Sequence, residues 1–498
     1  MNIFDSIVIG SGPCSEPVLF HLSKTNLRCL VIDSGDLSEK KIISNKSKSI
    51  KFNKNISPKQ KLNQFKWFDK KSFQKINDFF FLRCKNFCYI YSFKSGGLSN
   101  SWGGGAFEWS SEEISQTTSI PTLQVLNSYK FIRERLFIKK INSFSKITSF
   151  ANYLLKNKNK EIFFKPAQFF LNKKQKFNNN YYPFNQNLIW NSRDNVKNYI
   201  KDSINLKYKK NTTVLYLNKK KNYWELCCKE NGDIIFIRTK SIILCAGALN
   251  SACLAFSGAD IENINLQFFH NHAFLIPIFS LRKSIKSISS NYLEIPELAW
   301  KEKTNKVNKN FQISSGYFIS SNFILRQIIS KLPFKRNNFI GKIISFFLSK
   351  IGFMTIFMPS KFSNVFLKFK KIKSAKKEKK IYVTISNESN QKNLKKEKYK
   401  ISNKIFRSLP KWTYVLNFLS RSVATGGDIH YASTLPDVIG NKSFFNTSSI
   451  GEIDKLPMVF SADPSRLAYL SSLPHTFTTM AIIDASMPKI IKKISKFI

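Results

Sequence analysis

The sequence predicts an α/β protein: a Rossmann-like nucleotide-binding domain assembled from discontinuous segments, with a second, α+β domain inserted between them. Three observations predict it. The chain nearly opens on strand, glycine turn, helix and strand ("SIVIGSGPCSEPVLFHLSKTNLRCLVIDSG"). A second strand, glycine turn and helix stands at 241–258 ("SIILCAGALNSACLAFSG"). Long stretches of different character separate these units, in a chain of 498 residues that is too long for one small core.

In the opening unit, residues 6–9 read as a short buried strand, 15–23 as an apolar helix, and 28–32 as a second strand ending at Asp33. Gly10 permits the tight turn. Gly12 lets a pyrophosphate approach the backbone, where the exposed N–H groups of the helix start bind it. Asp33 follows Gly12 by 21 residues, the reach needed for a ribose hydroxyl pair. Ser15 stands where a third glycine is usual and is small enough for close helix–strand packing. Pro13 and Pro17 sit at or before the first helical turn, where a missing N–H is no loss. The pattern does not separate FAD from NAD.

The next informative stretch is "SGGLSNSWGGGAFEWS", residues 95–110, with five glycines in ten residues. It cannot be a good helix or strand interior. It brings backbone close to a flat ligand, with Ser99 and Asn100 supplying local hydrogen bonds and Trp102 and Trp109 rigid apolar walls. Residues 212–217, 224–228 and 234–237 read as a small meander. The unit at 241–258 then supplies a buried strand, the turn Ala246-Gly247-Ala248 and a helix holding Ser251, again the geometry of a ligand site at the carboxyl end of a sheet. The nucleotide domain is therefore expected from 1–110, 200–270 and 424–498, and the second domain from 111–199 and 271–423. Residues 368–380 are strongly basic and read as a solvated linker or hairpin running into the strand "KIYVTIS".

Five histidines are present. His21 lies in the first helix and reads as structural or exposed. His270 and His272 ("FFHNH") have a spacing open to a metal pair, but no adjacent acid or cysteine completes it, so packing is the expectation and no metal site is assigned. His430 ("GGDIHYASTLP") follows two glycines, and His475 ("SSLPHTFTTMA") follows a proline and precedes a run that can begin a helix. Between them lies "VFSADPSRL", with Asp463 at a strand end. Histidine is the side chain best poised to move a proton near pH 7, and oxidation of an alcohol needs one proton removed while hydride leaves the adjacent carbon.

Taken together these stretches resemble the glucose–methanol–choline (GMC) oxidoreductases, a family of FAD-dependent alcohol and sugar oxidases and dehydrogenases. "VIGSGPCS" with Asp33, "GGLSNSWGGG", "AGALNSACLAFSG" and "NLQFFHNH" match in the family order. Ala252 replaces the proline usual after Ser251, and Ser433-Thr434 replaces the Gly-Thr usual three residues after the first active-site histidine. The resemblance implies His430 and His475 as the catalytic pair. It places FAD against Gly10, Gly12, Pro13, Ser15, Asp33, Gly97, Ser99, Asn100, Trp102, Gly103, Val214, Ala246, Gly247, Asp463 and His475. The implied reaction is removal of a hydroxyl proton with hydride passing to flavin N5. The implied partners are a small-molecule alcohol, sugar or polyol and an electron acceptor that is oxygen, a quinone or a protein. The changed "HYASTLP" stretch keeps a second reading open: a catalytically degenerate flavoprotein with a binding or assembly role at a membrane surface.

Composition bounds the rest. The net charge is +49, from 80 basic and 31 acidic residues. Lysines are spread along the whole chain and arginine is scarce. Heavy use of Lys, Asn, Ile and Phe points to an A/T-biased coding background, and no nucleic-acid motif or fork of arginines for base readout appears. None of the eight cysteines forms a CxxC pair, which fits a reducing, cytoplasmic compartment. No signal peptide is expected. The apolar stretch 339–358 is interrupted by Lys342 and Lys350. It reads as a buried helix or one lying on a membrane surface, rather than a span.

Overall fold

The computed structural model describes residues 3–38, 66–68, 74–100, 102–140, 149–156, 161–172, 189–281, 296–303, 314–319, 343, 346–347, 350–373, 379–440 and 442–498. The central sheet has the spatial order Leu206–Lys209, Cys29–Ile32, Phe4–Ile9, Asp233–Leu244, Trp224–Glu230, Thr212–Lys219. Its first four strands are parallel, and Val459–Ser461 adds a fifth parallel partner along Ile242 to Leu244. Buried on both faces, these strands read as continuous apolar runs ("SIVI", "CLVI", "SIIL"), as parallel strands covered by helices must. The helices Ser15–Leu22 and Thr476–Phe497 cover one face through Val18, Leu19, Ile483, Met487 and Ile490.

One expectation is corrected here. The third meander strand and the strand before the second glycine turn are a single twelve-residue strand, Asp233–Leu244. Nothing between 237 and 241 breaks an extended chain, and the Thr239 hydroxyl donates to the Phe4 carbonyl at 3.1 Å, fastening the join to the first strand. The strand serves two neighbours in turn: its first half pairs antiparallel in the meander, its second half parallel with Phe4–Ile9.

A second sheet is antiparallel throughout, in the order Thr413–Val415, Ala273–Ser280, Ile351–Phe357, Ser315–Ile319, Pro296–Glu302, Ile162–Pro166. The helix Gln391–Ser408 packs on it through Leu394, Ile401 and Ile405. Part of the stretch 339–358 is thereby reassigned. Ile351–Phe357 is a central strand with Phe353, Met354 and Ile356 buried, not a helix. A short apolar run reads equally as a buried strand or helix, and strand pairing decides it. Ile343, Phe346 and Phe347 of the earlier half are exposed, and most of the remainder lies outside the described residues. No described helix is long and apolar enough to cross a membrane.

The basic stretch forms a hairpin, Val365–Lys373 with Lys379–Asn387. It does not stay with the antiparallel sheet. Its second strand runs parallel to Phe80–Lys85 and its first pairs with Asn263–Gln267. Leu367, Phe369, Val383 and Ile385 enter the same core as Ile7 and Leu244. A segment from the middle of the inserted range thus packs with the nucleotide sheet.

Candidate active site

The carboxyl ends of the parallel strands open into a cavity of about 520 Å³. At one end the walls are backbone. Gly10 (φ +100°) turns so tightly that a Cβ there would meet the Cys245 carbonyl oxygen at 2.6 Å. Gly12 and Gly97 approach each other so closely that a Cβ on Gly97 would stand 3.6 Å from the Gly12 Cα. The Ser11 hydroxyl accepts from Gly96 N–H at 2.8 Å, and Ser192 donates to the Ser11 carbonyl at 2.8 Å, stitching the first glycine turn to the glycine-rich stretch. Pro13, Asp33, Ser99 and Val214 also line this end. Asp33 stands at the tip of its strand, 7% exposed, and accepts from Gly35 N–H at 2.7 Å.

Two of the expected cofactor residues do not line the cavity. Ser15 faces back into its own turn and donates to the Gly12 carbonyl at 2.7 Å. Asn100 donates to the carbonyls of Ser95 and Gly97 at 2.9 Å each and accepts from Asn191, so it shapes the loop from behind. Trp102 lines the cavity, stacked on Phe170 and donating to the Trp190 carbonyl. Trp109, read as a second wall, is instead buried in the core.

The second glycine turn, Ala246 and Gly247, meets the cavity at the start of the helix Ala248–Gly258. Asp463 accepts from Gly247 N–H at 2.9 Å, from the Ser251 hydroxyl, and from Ser465 N–H at 2.9 Å. It therefore joins the final quarter of the chain to this helix start. Burial raises its carboxyl above the usual range, and the hydrogen bonds from Ser251, Ser465 and Gly247 oppose that rise.

The far end of the cavity is built from side chains. His430 and His475 face each other with ring centroids 5.7 Å apart and planes at 77°. His475 stands at the N-terminal boundary of the helix Thr476–Phe497, with its side chain making no capping hydrogen bond. His430 follows Ile429, whose φ of 66° is rare for a β-branched residue and aims the next side chain. Burial holds both imidazoles below their ordinary proton affinity. For His475 the neighbouring His430 adds to the effect, taking it to about 3, whereas Asp428 partly restores His430. Phe357 lies 5.5 Å from His430, Tyr317 5.6 Å from Phe357, and Phe107 5.2 Å from Tyr317, centroid to centroid. The Tyr317 hydroxyl is buried with no hydrogen-bond partner among the described residues.

Sequence reasoning missed this aromatic wall and Asp428. The three aromatic rings come from segments with no common motif. Asp428 carried a readable signal, an acid two residues before a histidine in a glycine-led turn. His270, judged to lack an acid, has that same Asp428 at 3.6 Å. His21 is half-buried and pairs with Asp484 at 3.2 Å.

The residues present suit a dinucleotide. Apart from the chain neighbours, a Cβ on Gly103 or Gly247 would meet no atom of the described residues within 4 Å, and both positions face the cavity, so their missing side chains leave room for a ligand. No family profile and no curated protein matches the chain. Among solved structures, pyridoxine 4-oxidase from Mesorbium loti aligns over 98% of this chain and 99% of its own, with a TM-score of 0.60 and 11% sequence identity. At that identity the likeness is one of fold alone: the chain shares the overall α/β architecture of that oxidase along nearly its whole length.

Proposed function

We propose that the protein is an FAD-dependent oxidoreductase acting on the CH–OH group of an alcohol. The observation that carries the reading is the pair of facing imidazoles, held neutral by burial, in the same cavity as the two glycine turns. FAD bound along Gly10, Gly12, Gly97, Gly103 and Gly247 would supply the hydride acceptor. The chain supplies the rest. A neutral imidazole takes the hydroxyl proton, and its partner hydrogen-bonds the same oxygen and orients it. The rings of Phe107, Tyr317 and Phe357 exclude water around that oxygen, which strengthens every polar contact there. These walls suit a flat, largely apolar alcohol better than a polyol, with the Tyr317 hydroxyl free to bond one polar substituent. That the structural neighbour is named as an oxidase of pyridoxine agrees with such a substrate.

The test is flavin extraction from purified protein, followed by anaerobic titration with alcohols. Loss of flavin absorbance on addition of an aryl or other flat alcohol is expected. Protein that takes up no FAD on reconstitution, or a bound flavin that no alcohol bleaches, would overturn the proposal.

A further inference from the structure

Four of the five histidines and one carboxylate form a continuous buried line. His475 faces His430 at 5.7 Å between centroids. The Nδ1 of His430 lies 3.5 Å from Asp428 Oδ2, and the Nδ1 of His270 lies 3.6 Å from Asp428 Oδ1. His272 packs edge-on against His270 at 4.3 Å. A two-residue ladder, Phe269–His270 antiparallel to Tyr431–Ala432, holds the two chain segments side by side.

The Asp428 side chain is 1% exposed and forms no ion pair with a lysine or arginine among the described residues. Its other partner is the Asn271 N–H, donating to Oδ2 at 3.1 Å. A buried carboxylate with no cation demands donors, because an unpaired charge away from water is costly. His270 stands beside the other oxygen in one tautomer. Its Nδ1 is 3.0 Å from the Asn271 carbonyl, an oxygen that can only accept, so Nδ1 carries the proton and presents a partial positive charge to Asp428 Oδ1, which lies 3.6 Å away and has no hydrogen-bond partner among the described residues. The Nδ1 of His430 is buried with no hydrogen-bond partner among the described residues; Asp428 Oδ2 at 3.5 Å is the acceptor it faces, which leaves Nε2 as the nitrogen open to the cavity. Among the described residues no carboxylate pairs with His475. Its Nδ1 meets the Thr479 hydroxyl at 3.4 Å, and the titratable group that faces its ring is His430.

We propose that Asp428 is the positioning residue that makes His430, and not His475, the base. The carboxylate, braced by His270 and Asn271, holds His430 with Nδ1–H turned inward and Nε2 bare toward the substrate. This inference rests on the proposed oxidation of an alcohol. In the proton step the substrate O–H bond breaks, an N–H bond forms at Nε2, and the resulting imidazolium pairs with the carboxylate at its back. The 3.5 Å separation shortens when that charge appears, as catalytic hydrogen bonds commonly do on binding substrate. His475 cannot take this role: a proton placed on it would be a buried charge beside a second imidazole with no anion in reach. It serves as donor to the substrate oxygen. The groups that set His430's protonation are thus Asp428 on its own turn, His475 from the final helix, and His270, with His272 behind it, from across the ladder.

With five histidines in the chain, the ring nitrogens are open to direct reading. Full-length protein labelled with 15N-histidine, assigned by single substitutions and measured by long-range 1H–15N NMR with and without added FAD, should show His430 as the Nδ1–H tautomer. An Nε2–H tautomer at His430 would overturn the proposal with no variant needed. In Asp428→Asn, His430 should bind its proton roughly tenfold more weakly while His475 is unmoved. Equal titration of His430 in the two proteins would also overturn it. With an alcohol that reduces the flavin, Asp428→Asn should lower the plateau of kcat/KM by roughly 10²-fold and move its acid limb to lower pH. A merely structural loss would lower the plateau and leave the limb in place. If no alcohol reduces the flavin, the proposed oxidation of an alcohol fails, and the tautomer still decides the role of Asp428.

Discussion

The two ends of the cavity are made of different material. The end proposed for the nucleotide is backbone, kept bare by Gly10, Gly12, Gly97, Gly103 and Gly247. The end proposed for the substrate is ring beside ring, from Phe107 through Tyr317 and Phe357 to His430 and His475. One end works by what is missing and the other by what is present. Substitutions should therefore fail in opposite ways: added atoms harm the first end, and removed atoms harm the second.

The largest effect belongs to the side-chain end. His430→Ala should lower kcat/KM by roughly 10²–10⁴-fold, with flavin content kept at wild-type level in the absorbance ratio of purified protein. Turnover within twofold of wild type would place the chemistry elsewhere. At the backbone end, Gly10→Ala pushes a Cβ to 2.6 Å from the Cys245 carbonyl at a φ of +100°. A cost of about 1–3 kcal/mol in urea unfolding and loss of bound flavin are expected together. Gly103→Ala sharpens the contrast. With no atom of the described residues beyond its chain neighbours within 4 Å of the new methyl, stability should stay within about 0.5 kcal/mol while flavin affinity falls, as read by fluorescence titration. Tyr317→Phe removes one oxygen that has no hydrogen-bond partner among the described residues. It should raise KM by a factor corresponding to about 0.5–1.5 kcal/mol for a substrate with a polar ring substituent, and leave flavin binding alone.

The mildest effect is on stability near neutral pH. Burial and a neighbouring histidine hold both His475 and His272 at about 3, below an ordinary value of 6.5. The unfolded chain therefore binds protons that the folded chain refuses. Stability from these groups is intact above about 6.5 and declines as pH falls toward 3. Urea midpoints at pH 7.5 and 5.5 should differ less in His475→Asn and in His272→Asn than in wild type.

The same contrast explains what the sequence disclosed. A backbone end announces itself, because only glycine meets its conformational demands and the acid at Asp33 must follow at a set distance. The strands beside it are apolar without interruption, so the parallel sheet was legible. The aromatic end follows no spacing. Tyr317 and Phe357 meet because Ser315 pairs with Phe357 across two antiparallel strands, a register that no local pattern encodes. The hairpin 365–387 was legible as strands, but its partner Phe80–Lys85 lies nearly 300 residues earlier, and pairing over that distance leaves no local trace. Asp428 was in plain view beside His430. Its meaning required His270, which a strand ladder and not the sequence brings to its other oxygen.

The first strand, Phe4–Ile9, waits for a neighbour that starts at Asp233, and that neighbour in turn waits for Val459–Ser461. At a synthesis rate of roughly 5–20 residues per second, the nascent edge stays uncovered for about 10–50 s, and the grip of Asp463 on the second glycine turn forms later still. On the proposed reading, cofactor loading is therefore a late event in the life of the chain. The species at risk of aggregation is the nearly finished polypeptide with its apolar edge still open, and it is at this stage that a supply of flavin and a chaperone would most improve recovery.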